Sequence, residues 1–313
     1  MITRPFNNAY VDGNDFIKVS KSERLFEEIN YYYKIQDLEQ KNLFAEFKGD
    51  VSDPYIYGLR LKHYHYKNLY ESLIDGIDPN EIFSAITHVL ESLHHQDFKQ
   101  MANSSKGCNN TILIEKTEKE FAIFRKQPNI FLNHFINKNL ININGVDCLH
   151  FDFIWPIIKN IIKIKFLEFN PTVIHGDLCF ANILWDSNNK KCILIDPRGS
   201  YQIKGIYGDP DYDFAKLMHS LNGCYEQIIY NHYEFKVNEN LITFKFKNDF
   251  EFLKNKLINY IDKNKIQKIK LLEGLLFISM SSRHYNNEEH QFIMYCTGLK
   301  ILNQFIKENQ SNF

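Results

Sequence analysis

At 313 residues, with 44% apolar and 24% charged side chains, the chain is long enough for one large or two medium domains, each with a full core. A formal net charge of -1 argues against bulk nucleic-acid binding, which needs a strong basic excess. The six cysteines, at 108, 148, 179, 192, 224 and 296, form no CxxC pair, the N-terminus carries no apolar signal region, and no stretch reaches the ~20 uninterrupted apolar residues of a membrane span, so the expected location is a reducing cytoplasm.

Residues 8–20, NAYVDGNDFIKVS, read as a hairpin: Asp12-Gly13 is a turn signal between two segments of strand character, and Lys18 falls in the second. The following SKSERLFEEINYYYKI spaces Leu25, Ile29, Tyr32 and Tyr33 at helical intervals, with a serine ahead of the first turn. This helix carries Glu27 and Glu28, and adjacent residues on a helix do not both face inward. By itself, Lys18 reads more readily as a surface lysine on a strand, beside a solvated acidic face, than as half of a buried ion pair. After Asp53-Pro54, YIYGLRLKHYHYKNLYESL passes from alternation to an aromatic, basic linker and then to a helix.

From Pro79, NEIFSAITHVLESLHHQ places Ile82, Ile86, Val89, Leu90 and Leu93 on one face of an amphipathic helix. His94 and His95 diverge at its end with no carboxylate cluster nearby in sequence, so they read as cations favoured by the helix dipole rather than as metal ligands. Residues 98–110 are polar and read as a connection. One or two helices follow over 111–140, and another over 151–166.

The stretch with the most chemistry runs from Val173 to Lys216. An apolar run reaches His175-Gly176-Asp177, Asn182 lies five residues later, and a second run, Cys192-Ile193-Leu194-Ile195, delivers Asp196. An Asp and an Asn five apart meet at one point only if the chain between them doubles back, and short strands on both sides anchor such a loop. Two carboxylates and a carboxamide gathered there suit phosphoryl transfer: one carboxylate, Asp177, orients and deprotonates a hydroxyl, and Asn182 with Asp196 are oxygen ligands for magnesium. Arg198 is positioned for bidentate contact with a carboxylate or phosphate, or for a structural pair with Asp209 or Asp211. Further on, YEFKVNENLITFKFK alternates as a β-hairpin. Helices are expected over 248–263 and 266–282, and a last one after Asn286-Asn287 carries Phe292, Ile293, Cys296, Leu299 and Leu302.

His-Gly-Asp-x-x-x-x-Asn followed by Ile-Asp resembles the aminoglycoside phosphotransferase and choline kinase group, relatives of the protein kinases that phosphorylate small molecules; His175-Gly176 and Asp196-Pro197 stand where protein kinases have His-Arg and Asp-Phe. The resemblance implies an α+β, protein-kinase-like two-lobe fold, with a small N-terminal β-sheet lobe with one helix at 1–62, a larger, mainly helical lobe at 63–313, and a nucleotide cleft. It implies that Lys18 contacts the phosphates of ATP, held by Glu28 with Glu27 as the alternative, and that a hinge near Lys62, His63 and Tyr64 binds adenine. Gly208 to Ala215 continues it, with His175 and Asp213 as support for the catalytic loop. Where the family opens with a glycine-bearing loop, residues 1–12 hold no glycine, so Thr3 to Asn8, with Asn7 and Asn8, must form the phosphate cradle.

The cofactors implied are ATP and Mg2+, and the partner is a small-molecule hydroxyl acceptor. HGDLCFANIL with IDPRG also resembles a bacterial branch associated with capsule and other surface polysaccharides, which points to a sugar, polyol or hydroxy acid; choline would need an aromatic cage. Ser281 to His284 lies at a helix end where the resembled enzymes bind acceptors, making Arg283 and His284 acceptor candidates alongside Arg198. The alternative is a catalytically inactive nucleotide-binding or interaction protein, which the glycine-free N-terminus favours. No Ala-Pro-Glu follows Asp196, which separates the chain from protein kinases.

Overall fold

A computed structural model describes residues 8–94, 111–135, 138–198, 200–201, 203–239 and 241–309. The chain forms two compact units, each from two separate pieces: Met1–Lys106 with Asn170–Asp213, and Gly107–Phe169 with Phe214–Phe313. The architecture is α+β, with a small N-terminal sheet carrying one helix and a larger, mainly helical C-terminal part.

The first piece opens with β1 (Asn8–Asp12) and β2 (Asp15–Ser20), followed by α1 (Glu23–Ile35), β3 (Phe47–Asp50) and β4 (Tyr57–Lys62); the sheet is antiparallel in the order β1-β2-β4-β3. Ser22 caps α1 by accepting the Arg24 N–H. The helix buries Leu25, Glu28, Ile29, Tyr31, Tyr32 and Ile35. Tyr33, expected on the inward face, is 51% exposed. It lies about 100° round the helix from Tyr32, outside an arc centred on Glu28 and Tyr32, and Tyr31 takes the buried place. A linker then leads to α2 (Leu69–Ile74), started by a capping box of Asn68 and Glu71, and to α3 (Pro79–His94) with the expected apolar face buried.

In the second unit, α4 (Thr111–Lys126) and α5 (Ile130–Phe135) precede β5 (Leu140–Ile143) and β6 (Val146–Leu149), and α6 (Phe151–Lys165) follows. The β5–β6 hairpin is absent from the sequence expectation, which ran helix to residue 140. Its signal is Asn144-Gly145, where both residues have positive φ, +51° and +81°, as a two-residue turn of the type that matches strand twist requires.

Returning to the first unit, β7 (Thr172–Val173) enters the loop at His175, and β8 (Ile183–Asp186) pairs with β9 (Lys191–Leu194) as a four-pair hairpin. Short strands β10 (Ser200–Tyr201), β11 (Ile203–Lys204) and β12 (Tyr207–Gly208) follow, with β12 pairing β7. Among the contacts that fasten this piece to the first, Tyr31 Oη donates to the Ile174 carbonyl at 2.9 Å, the Ala45 N–H donates to the Leu194 carbonyl at 2.9 Å, and the Phe44 ring stacks on His175 with centroids 5.9 Å apart.

Then α7 (Pro210–Leu221), α8 (Tyr225–Ile229), β13 (Tyr233–Asn238), β14 (Leu241–Phe246), α9 (Glu251–Tyr260), α10 (Ile266–Ser281) and α11 (Glu288–Asn309) complete the chain. β13 and β14 are the expected hairpin, but β14 also pairs in parallel with β5, so a four-stranded sheet β13-β14-β5-β6 joins segments about a hundred residues apart in sequence. Tyr225, Ile228, Phe277, Met280, Ile293, Met294 and Ile301 form a core cluster of this unit.

Candidate functional site

The loop between β7 and β8 doubles back through its own backbone. Cys179 N–H donates to the Asp177 carbonyl at 2.8 Å, Asn182 N–H donates to the Cys179 carbonyl at 2.9 Å, and Asn182 Nδ2 donates to the Asp177 carbonyl at 2.9 Å. The Ile195 N–H donates to the Asn182 carbonyl at 3.0 Å, which ties the loop to the strand end that delivers Asp196. Asp177, Asn182 and Asp196 are thereby brought onto one connected piece of backbone.

Two groups hold the loop from behind. Asp213, fully buried at the start of α7, accepts the N–H groups of His175 and Gly176, each at 2.9 Å, and stands 3.3 Å from His94 Nε2. His175 is itself buried: its Nδ1 accepts the Asp177 N–H at 3.2 Å, so the ring proton sits on Nε2, 3.0 Å from the Ile195 carbonyl. Burial lowers its pKa against the opposing pull of Asp213 and Asp177, which keeps the imidazole neutral. Gly176 has φ +75°, and a Cβ there would lie 2.9 Å from the Arg198 Cβ, so the site needs a residue without a side chain.

Lys18 projects from β2 with only 8% of its surface exposed; its Nζ lies 2.7 Å from Glu28 Oε2 and 3.1 Å from Asp196 Oδ1. Burial pulls the lysine pKa down, but Asp196 and Glu28 more than reverse this, and the net shift is upward. Burial also pushes the Glu28 carboxyl up to about 7, opposed by the ammonium. The ion-paired form is the one the contact supports, because a neutral Glu28 would forfeit the charge-assisted bond at 2.7 Å. Glu27, the alternative partner, is half-buried and does not make this contact.

The donors at this point are hard oxygens. The Asp196 carboxylate is 47% exposed and its backbone stands at φ +57°, a left-handed conformation uncommon for a residue with a side chain. Asn182 commits its Nδ2 to Asp177, which leaves Oδ1 as its donor atom. One carboxylate and one carboxamide fit Mg2+, which retains waters and takes phosphate oxygens rather than a full protein cage. Among the described residues no group of three or more His, Cys, Asp or Glu gathers as a metal site.

The other sequence-predicted residues are placed as follows. Asn7 lies outside the described residues, as do the remainder of residues 1–7, His95, Cys108 and the rest of the polar connection at 98–110; Asn8 opens β1 opposite Val19. The Lys62 N–H donates to the Glu46 carbonyl at 2.9 Å and the His63 N–H to the Asn14 carbonyl at 2.7 Å, while Tyr64 Oη accepts the Glu46 N–H at 3.4 Å. Arg198 donates its backbone N–H to the His175 carbonyl at 2.8 Å and holds Nη2 3.8 Å from Asp177 Oδ2. Arg283 and His284 belong to the second unit: Arg283 Nη2 donates to Glu120 Oε1 at 2.8 Å, beside Ser282, which also donates to Glu120, and His284 lies 6.0 Å from Tyr225, ring to ring.

The contact of His94 with Asp213 escaped the sequence reading, which gave His94 only a helix dipole to face. The partner is 119 residues away, and no local pattern announces it. The five described cysteines are buried thiols that form no disulfide with one another.

No family model and no curated protein matches this chain. Solved structures do. The aminoglycoside phosphotransferase APH(4)-Ia matches over 98% of this chain and 92% of its own, with 8% identity and a TM-score of 0.60. A thermostable mutant of that protein in apo form matches over 96% and 90%, with 9% identity and a TM-score of 0.59. APH(2")-IIa in its gentamicin complex matches over 96% and 88%, with 13% identity and a TM-score of 0.54. At such identities the likeness is one of fold, and the fold of this chain is the protein-kinase-like fold of the aminoglycoside phosphotransferases.

Proposed function

We propose that the chain is an ATP- and Mg2+-dependent kinase that transfers the γ-phosphoryl group to a hydroxyl of a small molecule. The observation that carries this reading is the buried Lys18 held between Glu28 and Asp196, at 2.7 and 3.1 Å, on the same unit as a loop that presents Asp177 and Asn182. Asp177 orients the acceptor hydroxyl and takes its proton as the oxygen bonds to the γ-phosphorus and the bond to ADP breaks. Lys18 binds the phosphates of ATP and Glu28 keeps it in place. Asn182 and Asp196 hold Mg2+, which when bound neutralises phosphate charge. His175 and Asp213 keep the loop in shape, and Arg198, beside Asp177, meets negative charge on the acceptor or the γ-phosphate.

Residues 1–62 then act as the nucleotide-binding lobe and 63–313 as the catalytic and acceptor-binding lobe. The compact units divide the chain elsewhere, because residues 170–213 share a unit with the N-terminal sheet. Two structures of similar fold support ATP and a hydroxyl-bearing acceptor: APH(2")-IIa with gentamicin, and the same protein in a streptomycin-ATP ternary complex. For this chain the acceptor we favour is a sugar, polyol or hydroxy acid of bacterial capsule or surface-polysaccharide synthesis, handled in the cytoplasm; Arg283 and His284 are the acceptor candidates of the second unit.

Calorimetric titration of ATP with and without Mg2+, on the wild type and Asp196→Ala, tests the reading. ATP should bind, bind more tightly with Mg2+, and lose that dependence in the variant; a screen of hydroxyl compounds should then show ADP release. No nucleotide binding would overturn the reading, and binding without turnover on any acceptor would leave an inactive nucleotide-binding protein.

A further inference from the structure

The segment between β4 and α2 is held at its far end by a seam that includes one side-chain bond. Tyr66 Oη donates to Asp186 Oδ2 at 3.0 Å, the Trp185 N–H donates to the Lys67 carbonyl at 2.8 Å, and Asn68 forms an antiparallel bridge with Leu184. Tyr66, Lys67 and Asn68 thus run against Asp186, Trp185 and Leu184 in opposite order. At the near end, the amides of Lys62 and His63 are taken by the Glu46 and Asn14 carbonyls. Tyr64 and His65 form a short span strung between these anchored ends.

Asp186 is built for this contact. It is 2% exposed, closes β8, and besides Tyr66 accepts the Asn188 N–H at 3.1 Å, the Asn189 N–H at 3.2 Å and Asn189 Nδ2 at 2.8 Å. One carboxylate therefore shapes the β8–β9 turn and grips the linker. The other end of that hairpin bears the proposed metal ligands: Asn182 immediately precedes β8, and Asp196 follows β9 after one residue. Four residue pairs separate the ends, a span of about 10 Å.

We propose that Tyr66 and Asp186 latch the linker onto the β8–β9 hairpin and so position the Tyr64–His65 backbone against adenine, at a set distance from the phosphate and metal end of the site. This rests on the kinase reading above and on the adenine hinge that the resemblance implies near Lys62, His63 and Tyr64, moved one residue on because the Lys62 and His63 amides are already taken by the Glu46 and Asn14 carbonyls. Tyr66 and Asp186 are positioning residues: neither needs to touch the nucleotide, and their effect falls on the base and not on the triphosphate.

The test separates the two ends of the ligand. ATP and inorganic tripolyphosphate, each with Mg2+, are titrated into the full-length wild type, Tyr66→Phe, Asp186→Asn and the double variant, with thermal melts alongside. Each single variant should weaken ATP by about 10- to 100-fold, the scale of one hydrogen bond to a charged acceptor. The double variant should add little more, and tripolyphosphate should bind all four proteins alike. Unchanged ATP affinity in Tyr66→Phe, or parallel loss of both ligands, overturns the latch. If one variant fails to fold, the other gives the same readout. A wild type that binds tripolyphosphate but not ATP sinks the latch and leaves the phosphate site standing; one that binds neither sinks the kinase reading and the latch with it.

Discussion

A lysine with 8% of its surface exposed must be compensated, and Lys18 is, by carboxylates from α1 and from the end of β9. Glu273 shows what burial does without a cation at contact distance. It is 1% exposed in α10, where Asn222 Nδ2 donates to its Oε1 at 2.9 Å. Burial raises its carboxyl from the usual 4.5 to about 7, partly opposed by that bond. The folded pKa therefore lies above the unfolded one. The stability linked to it is complete below pH 4.5 and is lost as the pH rises through 7. Glu273→Gln should remove this slope and raise stability at pH 8 by about 3 kcal/mol, the cost of ionising a carboxyl moved from 4.5 to about 7. Urea unfolding of both proteins between pH 4 and 8 decides it: parallel curves would show that Glu273 does not titrate in this range.

Among the elements, the loop from His175 to Asn182 is specified most tightly, with Asp213 behind it and Arg198 across it. Gly176 is its weakest point sterically. Gly176→Ala combines an unfavourable φ of +75° with a Cβ only 2.9 Å from the Arg198 Cβ. The expected cost is about 1–3 kcal/mol of stability, and the displaced loop should lower kcat by about 100-fold. Denaturant unfolding and initial rates on the acceptor found by the screen measure the two effects, and a variant with wild-type values in both would show that the loop tolerates the displacement. The same element explains the partial legibility of the site. His-Gly-Asp and the asparagine five residues on are local features, so their grouping could be read from spacing. The grip of Asp213 on two backbone amides was implied by the family resemblance and not by a local pattern. His94 and Tyr66, by contrast, meet partners 119 and 120 residues away, and no periodicity encodes such a pairing.

For the whole molecule, the decisive feature is that each compact unit is assembled from two separated pieces of chain. No described helix is long and apolar enough to cross a membrane. The first 106 residues contain a complete four-stranded sheet, yet Tyr31, Phe44, Ala45, Tyr66 and Lys67 all rely on residues 170–213. A fragment of residues 1–106 should therefore show no cooperative thermal transition by circular dichroism. A sharp melt from it would mean that the sheet and α1 suffice as a core.

By itself, the sequence determined the order and type of most elements and the short list of polar residues with chemistry, because helix periodicity, turn residues and motif spacing are properties of neighbouring positions; the α+β class came with the family that the motif resembles. Even the missed hairpin at 140–149 was written locally, in Asn144-Gly145. Only the tertiary structure decided that Tyr31 and not Tyr33 is buried, that Glu28 and not Glu27 meets Lys18, that β14 adds to β5, and that Asp186 holds Tyr66. Each of these depends on which face of an element meets which distant surface, and that is settled by packing the whole chain at once.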